Sequence, residues 1–152
     1  MRAPREGKVS IPYVESICQV NVRFQEVDVL GVVWHGHYLT YFEQGRIAFG
    51  REHRFDYLDI HAAGFIAPIV HIDVRYDAPA KYGDVLTVKT HLLDVDGAQV
   101  RFDYIVEDGS SRTLASGSSR QVFLDLAGNL MVTRPPILED LLNRCRPLMR
   151  HP

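Results

Sequence analysis

Cysteine is nearly absent from these 152 residues. Only Cys18 and Cys145 occur, with no C-x-x-C step and no Cys/His ligand spacing. That argues against a disulfide scaffold or a zinc ribbon, and makes a reduced, cytoplasmic protein the expectation, with Cys18 inside a strand. No apolar run approaches the roughly 18 residues of a membrane-crossing helix. The opening Met-Arg-Ala-Pro-Arg-Glu-Gly-Lys has basic groups but no apolar stretch behind it, so it does not read as a secretory leader. Neither sign of charge dominates: 17 Lys and Arg stand against 19 Asp and Glu, and the basic residues are scattered. Binding to nucleic acid or to an anionic membrane surface is therefore not expected. His35 and His37 lie two apart with no third ligand at metal spacing, so no metal site is expected.

What is present fits one globular domain. The apolar fraction is 46% and the charged fraction 24%, enough for a single buried core. We divide the chain into a flexible arm at residues 1–10, one domain over 11–140 and a tail over 141–152. Tyr13 to Phe24 is rich in β-branched and apolar residues and reads as a strand. Gln25 to Gly36 reads as an ordered loop broken by Gly31 and Gly36. The spacing of Tyr38, Tyr41, Phe42, Ala48 and Phe49 predicts an amphipathic helix over His37–His53. Gly45 and Gly50 weaken that helix unless another element packs closely there. A helical turn is expected at Tyr57–Ala63.

The period then changes to two. Val70, Ile72, Val74 and Tyr76 alternate with polar residues up to Pro79. Val85–Val95 and the run through Val100, Phe102, Tyr104 and Val106 follow, joined by an Asp96-Gly97 turn. A second turn at Asp108-Gly109 leads to a strand over 113–125, whose Ala115-Ser-Gly-Ser-Ser119 run suggests a closely approached or ligand-facing surface. Ile137–Cys145 reads as a short helix. This order, a strand, a long helix and then four strands expected as an antiparallel meander, gives an α+β fold with the helix against one sheet face.

The chemistry concentrates between Asp28 and His35. The first-turn N–H groups of a helix are unpaired and carry partial positive charge. They can hold an oxyanion while a nearby carboxylate attacks or directs water. From the bare residues alone an acid that merely orders the loop is the better reading.

The residues Asp28-Val-Leu-Gly31-Val-Val33-Trp34-His35-Gly-His-Tyr38-Leu-Thr-Tyr41-Phe42-Glu43-Gln-Gly-Arg46, with Tyr76-Asp-Ala-Pro79-Ala-Lys-Tyr-Gly83-Asp84, resemble the hot-dog-fold acyl-CoA thioesterases. The resemblance is to the group of 4-hydroxybenzoyl-CoA thioesterase and the Tol-Pal-linked thioesterases. It covers about residues 12–138, and departs from the family at His37, where asparagine is common, and around Glu26 and Val27. It implies a hot-dog fold, an antiparallel sheet wrapped around one long central helix. It implies hydrolysis of acyl-CoA to a carboxylic acid and coenzyme A, without metal or redox cofactor, by a homo-oligomer (dimer or tetramer) with sites at a subunit interface. Asp28 would be nucleophile or general base, and the His35 N–H the oxyanion donor. Gly31, Val33, Trp34, Tyr38 and Glu43 would surround the substrate, with Glu43 a rival for the essential acid or a partner of Arg46. Lys81, Lys89, Arg101, Arg112 and Arg120 are candidates for the coenzyme A phosphates. Action on acyl groups held by acyl carrier protein, or acyl-CoA binding without cleavage, are the alternatives. The acyl group itself is not legible.

Overall fold

The computed structural model describes residues 10–152. All but the last residue of the expected N-terminal arm lies outside them. In chain order the elements are β1 (Tyr13–Asn21), α1 (His37–His53), α2 (Tyr57–Ala62), β2 (Phe65–Ile66), β3 (Ile69–Tyr76), β4 (Val85–Leu93), β5 (Gln99–Glu107), β6 (Thr113–Val122), β7 (Leu124–Asp125) and α3 (Pro136–Cys145). Five strands form one antiparallel sheet in the order β1-β4-β5-β6-β3, and β2 pairs with β7 separately.

The expected antiparallel pairing holds, but the meander does not. β3 and β4 are consecutive in sequence and are separated in the sheet: β3 pairs with β6, and β4 with β1 and β5. β1 and β3 thus form the two edges. Residues 141–152, expected as a tail, pack into the domain. Leu141, Leu142 and Cys145 are buried, and Arg150 exchanges backbone hydrogen bonds with Tyr13. Cys18 and Cys145 are free thiols. No helix among the described residues is long and apolar enough to cross a membrane.

The alternation expected from sequence holds in β5 but not throughout β3, where a register shift between Ile69 and His71 leaves Val70 exposed and Tyr76 is exposed at the far end. β5 reads inward through Val100, Phe102, Tyr104 and Val106, all buried. α1 lies across that face against β1, β4 and β5, burying Tyr38, Tyr41, Phe42 and Phe49. Phe42 stacks on Tyr104 with ring centroids 4.3 Å apart, and Phe49 meets Phe102 edge-on at 5.1 Å. This is the hot-dog arrangement, a sheet curled about a central helix.

Gly45 lets the helix sit this close. A Cβ there would run into the Thr90 hydroxyl, with Val88 Cγ1 3.0 Å away. Glycine to alanine inside an exposed helix usually stabilises by about 1 kcal/mol. Here Gly45→Ala is expected to destabilise by about 1–3 kcal/mol through overpacking, read from chemical denaturation.

The C-terminal end of α1 carries a histidine in an unfavourable place. His53 packs on Phe49 and approaches the buried Cys145 thiol, and its Nε2 has no hydrogen-bond partner among the described residues. Burial holds its pKa below the ordinary histidine value; Glu52 opposes the shift and Arg144 adds to it. Between the lowered folded pKa and about 6.5 the unfolded chain binds more protons. The contribution is complete above pH about 6.5 and is lost as pH falls through the folded value. Melting temperatures taken from pH 7.5 to 5 should fall on acidification in the wild type and fall less in His53→Gln.

Candidate active site

The loop between β1 and α1 is tied down by one buried acid. Phe24–Glu26 make a single tight turn, and the Glu26 side chain is 2% exposed. Its Oε1 accepts the Arg23 N–H at 2.7 Å and the Tyr41 hydroxyl at 3.2 Å, while its carbonyl accepts the Trp34 N–H at 2.9 Å. Burial, then the Glu26 charge, push the Tyr41 phenol up, so it stays protonated as a donor. Glu26 therefore clasps both ends of the loop and anchors them to the helix.

Inside that clasp the chain folds back on itself. Val27 pairs with Val33, the Asp28 N–H donates to the Val32 carbonyl at 2.9 Å, and the Gly31 N–H donates to the Asp28 carbonyl at 3.0 Å. Gly31 has φ +77°, the left-handed value the tight return requires. One Asp28 carboxylate oxygen accepts the Leu30 N–H at 2.8 Å. The other takes no hydrogen bond among the described residues.

The segment after β3 supports the far side of the loop. The Val33 N–H donates to the Ala80 carbonyl at 2.9 Å, and the Ala80 N–H donates to the Tyr38 hydroxyl at 3.1 Å. The Tyr76 hydroxyl donates to the His35 carbonyl at 2.7 Å. Burial raises the Tyr38 pKa and the Ala80 N–H opposes it, so the phenol remains neutral at the loop base. Tyr38 thus holds the loop through a hydrogen bond to Ala80, which in turn accepts from Val33.

At the start of α1 backbone donors are left over. The His37 N–H turns back to the Trp34 carbonyl at 3.0 Å, whereas the His35 and Gly36 N–H groups are donated to nothing among the described residues. The Trp34 ring lies over Gly36 so closely that any Cβ would collide with it. That ring also sits 4.7 Å from the His35 ring and 5.5 Å from His37. Beside it opens a pocket of about 250 Å³, lined by Val33, His35, Tyr38, Tyr76, Asp77 and Pro79 among others.

The residues expected from sequence divide between two places. Val33, His35 and Tyr38 line this pocket, and Trp34 flanks it through His35. Asp28 and Gly31 lie on the returning loop and are not part of the pocket wall. Glu43 is solvent-exposed on α1, six residues or about 9 Å along the helix from His37. The expected Glu43–Arg46 pair does not form. Arg46 turns inward, its Nε donating to the Tyr57 hydroxyl at 3.3 Å and an Nη to the Tyr104 hydroxyl at 3.0 Å. The sequence reading passed over Glu26, Tyr41, Tyr76 and Asp77. The quoted Tyr76–Pro79 motif was a signal for Tyr76; nothing local marks Glu26 as buried.

The candidate phosphate-binding cations also separate. Lys89 pairs with Glu107 at 3.0 Å and Arg112 with Asp108 at 3.4 Å. Lys81 sits where its segment bridges to Val32. Arg101 and Arg120 face each other across β5 and β6.

Comparison with known proteins agrees with this geometry. The thioesterase-like superfamily model matches residues 22–145. A putative acyl-CoA thioesterase of Bacillus subtilis, YneP, is 29% identical over 107 residues, covering 70% of this chain and 78% of its own. The Escherichia coli acyl-CoA thioester hydrolase YbgC is 26% identical over 106 residues, 70% and 79% of the two chains. In structure, a DHNA-CoA thioesterase of Staphylococcus aureus superposes with a TM-score of 0.79 at 23% identity, over 88% of this chain and 92% of that one. A Thermus thermophilus protein, TT1821, superposes with a TM-score of 0.76 at 29% identity, over 85% and 98%. The sheet curled about α1, the Asp28 loop with its open helix start and the superfamily match over most of the chain make one assignment: the chain belongs to the thioesterase-like superfamily, with the hot-dog fold.

Proposed function

We propose that this chain is an acyl-CoA thioesterase that cleaves R-CO-S-CoA with water to a carboxylic acid and coenzyme A. The observation that carries the reading is the set of N–H groups, His35 and Gly36 among them, that are donated to nothing among the described residues at the positive end of α1 beside the pocket. A tetrahedral oxyanion needs preorganised donors of this kind, and they cost no reorganisation when the charge develops. Asp28, by the family resemblance, supplies the attacking oxygen, either its own or that of a water it deprotonates. The tetrahedral intermediate then collapses by breaking the C–S bond. After attack by water it gives the acid directly; after attack by Asp28 it gives a mixed anhydride that water hydrolyses. On either route the coenzyme A thiolate takes up a proton from that water. Asp28 and water suffice for that sequence, so neither metal nor redox cofactor is required.

The pocket wall lacks Asp28, which supports a site completed between two copies. The tip residues Val29 and Leu30 are 102% and 80% exposed, and Phe24 and Tyr82 stack edge-on beside the loop in the open. Apolar groups at the tip of an ordered loop are normally covered. A homo-oligomer that pairs through this end covers them and closes the cleft over the acyl group.

Free-thiol release from short-chain, long-chain and aromatic acyl-CoAs tests the reading. Turnover of at least one class is expected. No release from any of them, with tight acyl-CoA binding retained, would identify a binding module instead. Release only from acyl carrier protein conjugates would move the substrate class.

A further inference from the structure

The sheet face turned away from α1 carries an arrangement that thioester hydrolysis leaves unexplained. Arg101 on β5 stands directly opposite Arg120 on β6, and Arg120 directly opposite His71 on β3. Side chains in such registered pairs lie about 4.5–5.5 Å apart at Cβ, and like charges there are destabilising. Neither arginine pairs with a carboxylate among the described residues, while Lys89 and Arg112 do. A concavity of about 270 Å³ opens over the row, lined by both arginines with His71, Gln99, Ser118 and Asp73. Arg101 and Ser118 are shared with a larger neighbouring concavity of about 540 Å³. Its wall includes Ile11, Tyr13, Leu93 and Pro152, and Tyr13 is stacked on His91 at 4.2 Å.

The two halves differ in chemistry and are continuous. One offers two guanidinium groups in register, with the His71 ring beside them held by the Asp73 carboxylate at 3.2 Å. The other offers aliphatic and aromatic surface long enough for a flat ring. Ser118, an outward residue of the Ser116–Ser119 run, sits where they join; its neighbours are used inward, Gly117 against Phe42 and Ser119 by Tyr104. Asp103 lies two residues along β5 from Arg101, placed to accept from a hydroxyl or amino group, while Asp73 lies two residues along β3 and holds His71. An inorganic anion would use only the first half, and the flanking carboxylates would work against it.

We propose that this groove binds a phosphate-bearing nucleotide, with the phosphate on Arg101 and Arg120 and the base against Tyr13 and Leu93. The same chemistry is found in the phosphoadenosine end of a coenzyme A substrate and in free adenine nucleotides. The first source rests on the thioesterase reading; the second does not.

Calorimetric titration of the full chain with adenosine 3′,5′-bisphosphate, adenosine and inorganic phosphate tests it. The bisphosphate should bind, and Arg101→Gln and Arg120→Gln should each weaken it about tenfold or more, the scale of one charge-assisted bond. Adenosine and phosphate should bind far more weakly than the bisphosphate. No binding of the bisphosphate at millimolar concentration overturns the proposal. So does unchanged affinity in both variants, or phosphate binding as tight as the bisphosphate. A change of oligomeric state in the variants without a change in affinity also overturns it, assigning the row to subunit contact. Steady-state kinetics separate the sources. If coenzyme A is the source, KM for acyl-CoA rises about tenfold in the variants while turnover of the matching acyl-pantetheine is unchanged. If KM does not move, the nucleotide is a separate ligand. Acyl-pantetheine turnover in the wild type keeps failure of the groove distinct from failure of the thioesterase reading.

Discussion

Asp28→Asn is expected to lower acyl-CoA turnover by about 10²–10⁴-fold, the range lost when a positioned general base is removed. The substitution keeps nearly the same shape. Asparagine's carbonyl oxygen can still accept the Leu30 N–H that Asp28 Oδ1 accepts at 2.8 Å, so the loop return survives. The Asp28 backbone bonds to Val32 and Gly31 do not involve the side chain at all. What is lost is the second carboxylate oxygen, which alone can take a proton or attack. A fall in kcat with an unchanged melting temperature is therefore the expected signature. A melting temperature several degrees lower, with turnover falling in proportion to folded protein, would make Asp28 a loop-ordering acid only.

Glu26→Ala should be the most damaging change outside the catalytic groups. It removes the acceptor of the Tyr41 hydroxyl, a buried bond, and of the Arg23 N–H, a part-buried one. Each orphaned donor costs about 1–3 kcal/mol, so a loss of about 2–5 kcal/mol is expected from denaturation. The ion pair with Arg23, at 3.5 Å, adds little because that guanidinium is 62% exposed. Turnover should fall as well, since the clasp sets the position of both Asp28 and the His35 N–H, and an ångström of misplacement can cost about a hundredfold. Glu26→Gln retains an acceptor for both donors and should keep most of the stability and the rate. Equal damage from Gln and Ala would mean the charge matters rather than the hydrogen bonds.

Much of the fold was legible because it is local. The Tyr38–Phe49 spacing gave the helix, and alternation about Val100–Val106 gave a strand with one buried face. The Asp96-Gly97 turn appears with Gly97 at φ +88°. The sheet order was not legible, since a meander and the observed order use the same strands, and only their packing about α1 chooses between them. The candidate site shows the same division. Asp28, Gly31 and the helix start were readable from one stretch. Glu26 was not, because its burial comes from Tyr41, fifteen residues on, folding back over it. The Glu43–Arg46 pairing had correct spacing and failed because the Tyr57 and Tyr104 hydroxyls draw Arg46 to the interior.

The most direct measurement is steady-state thiol release from acyl-CoA by the wild type, Asp28→Asn and Glu43→Gln, prepared side by side at neutral pH. The account predicts a turning-over wild type, a Glu43→Gln variant close to it and an Asp28→Asn variant at least about a hundredfold slower. Near-normal turnover by Asp28→Asn together with an inactive Glu43→Gln would contradict it, and would move the essential acid from the loop to the exposed face of α1.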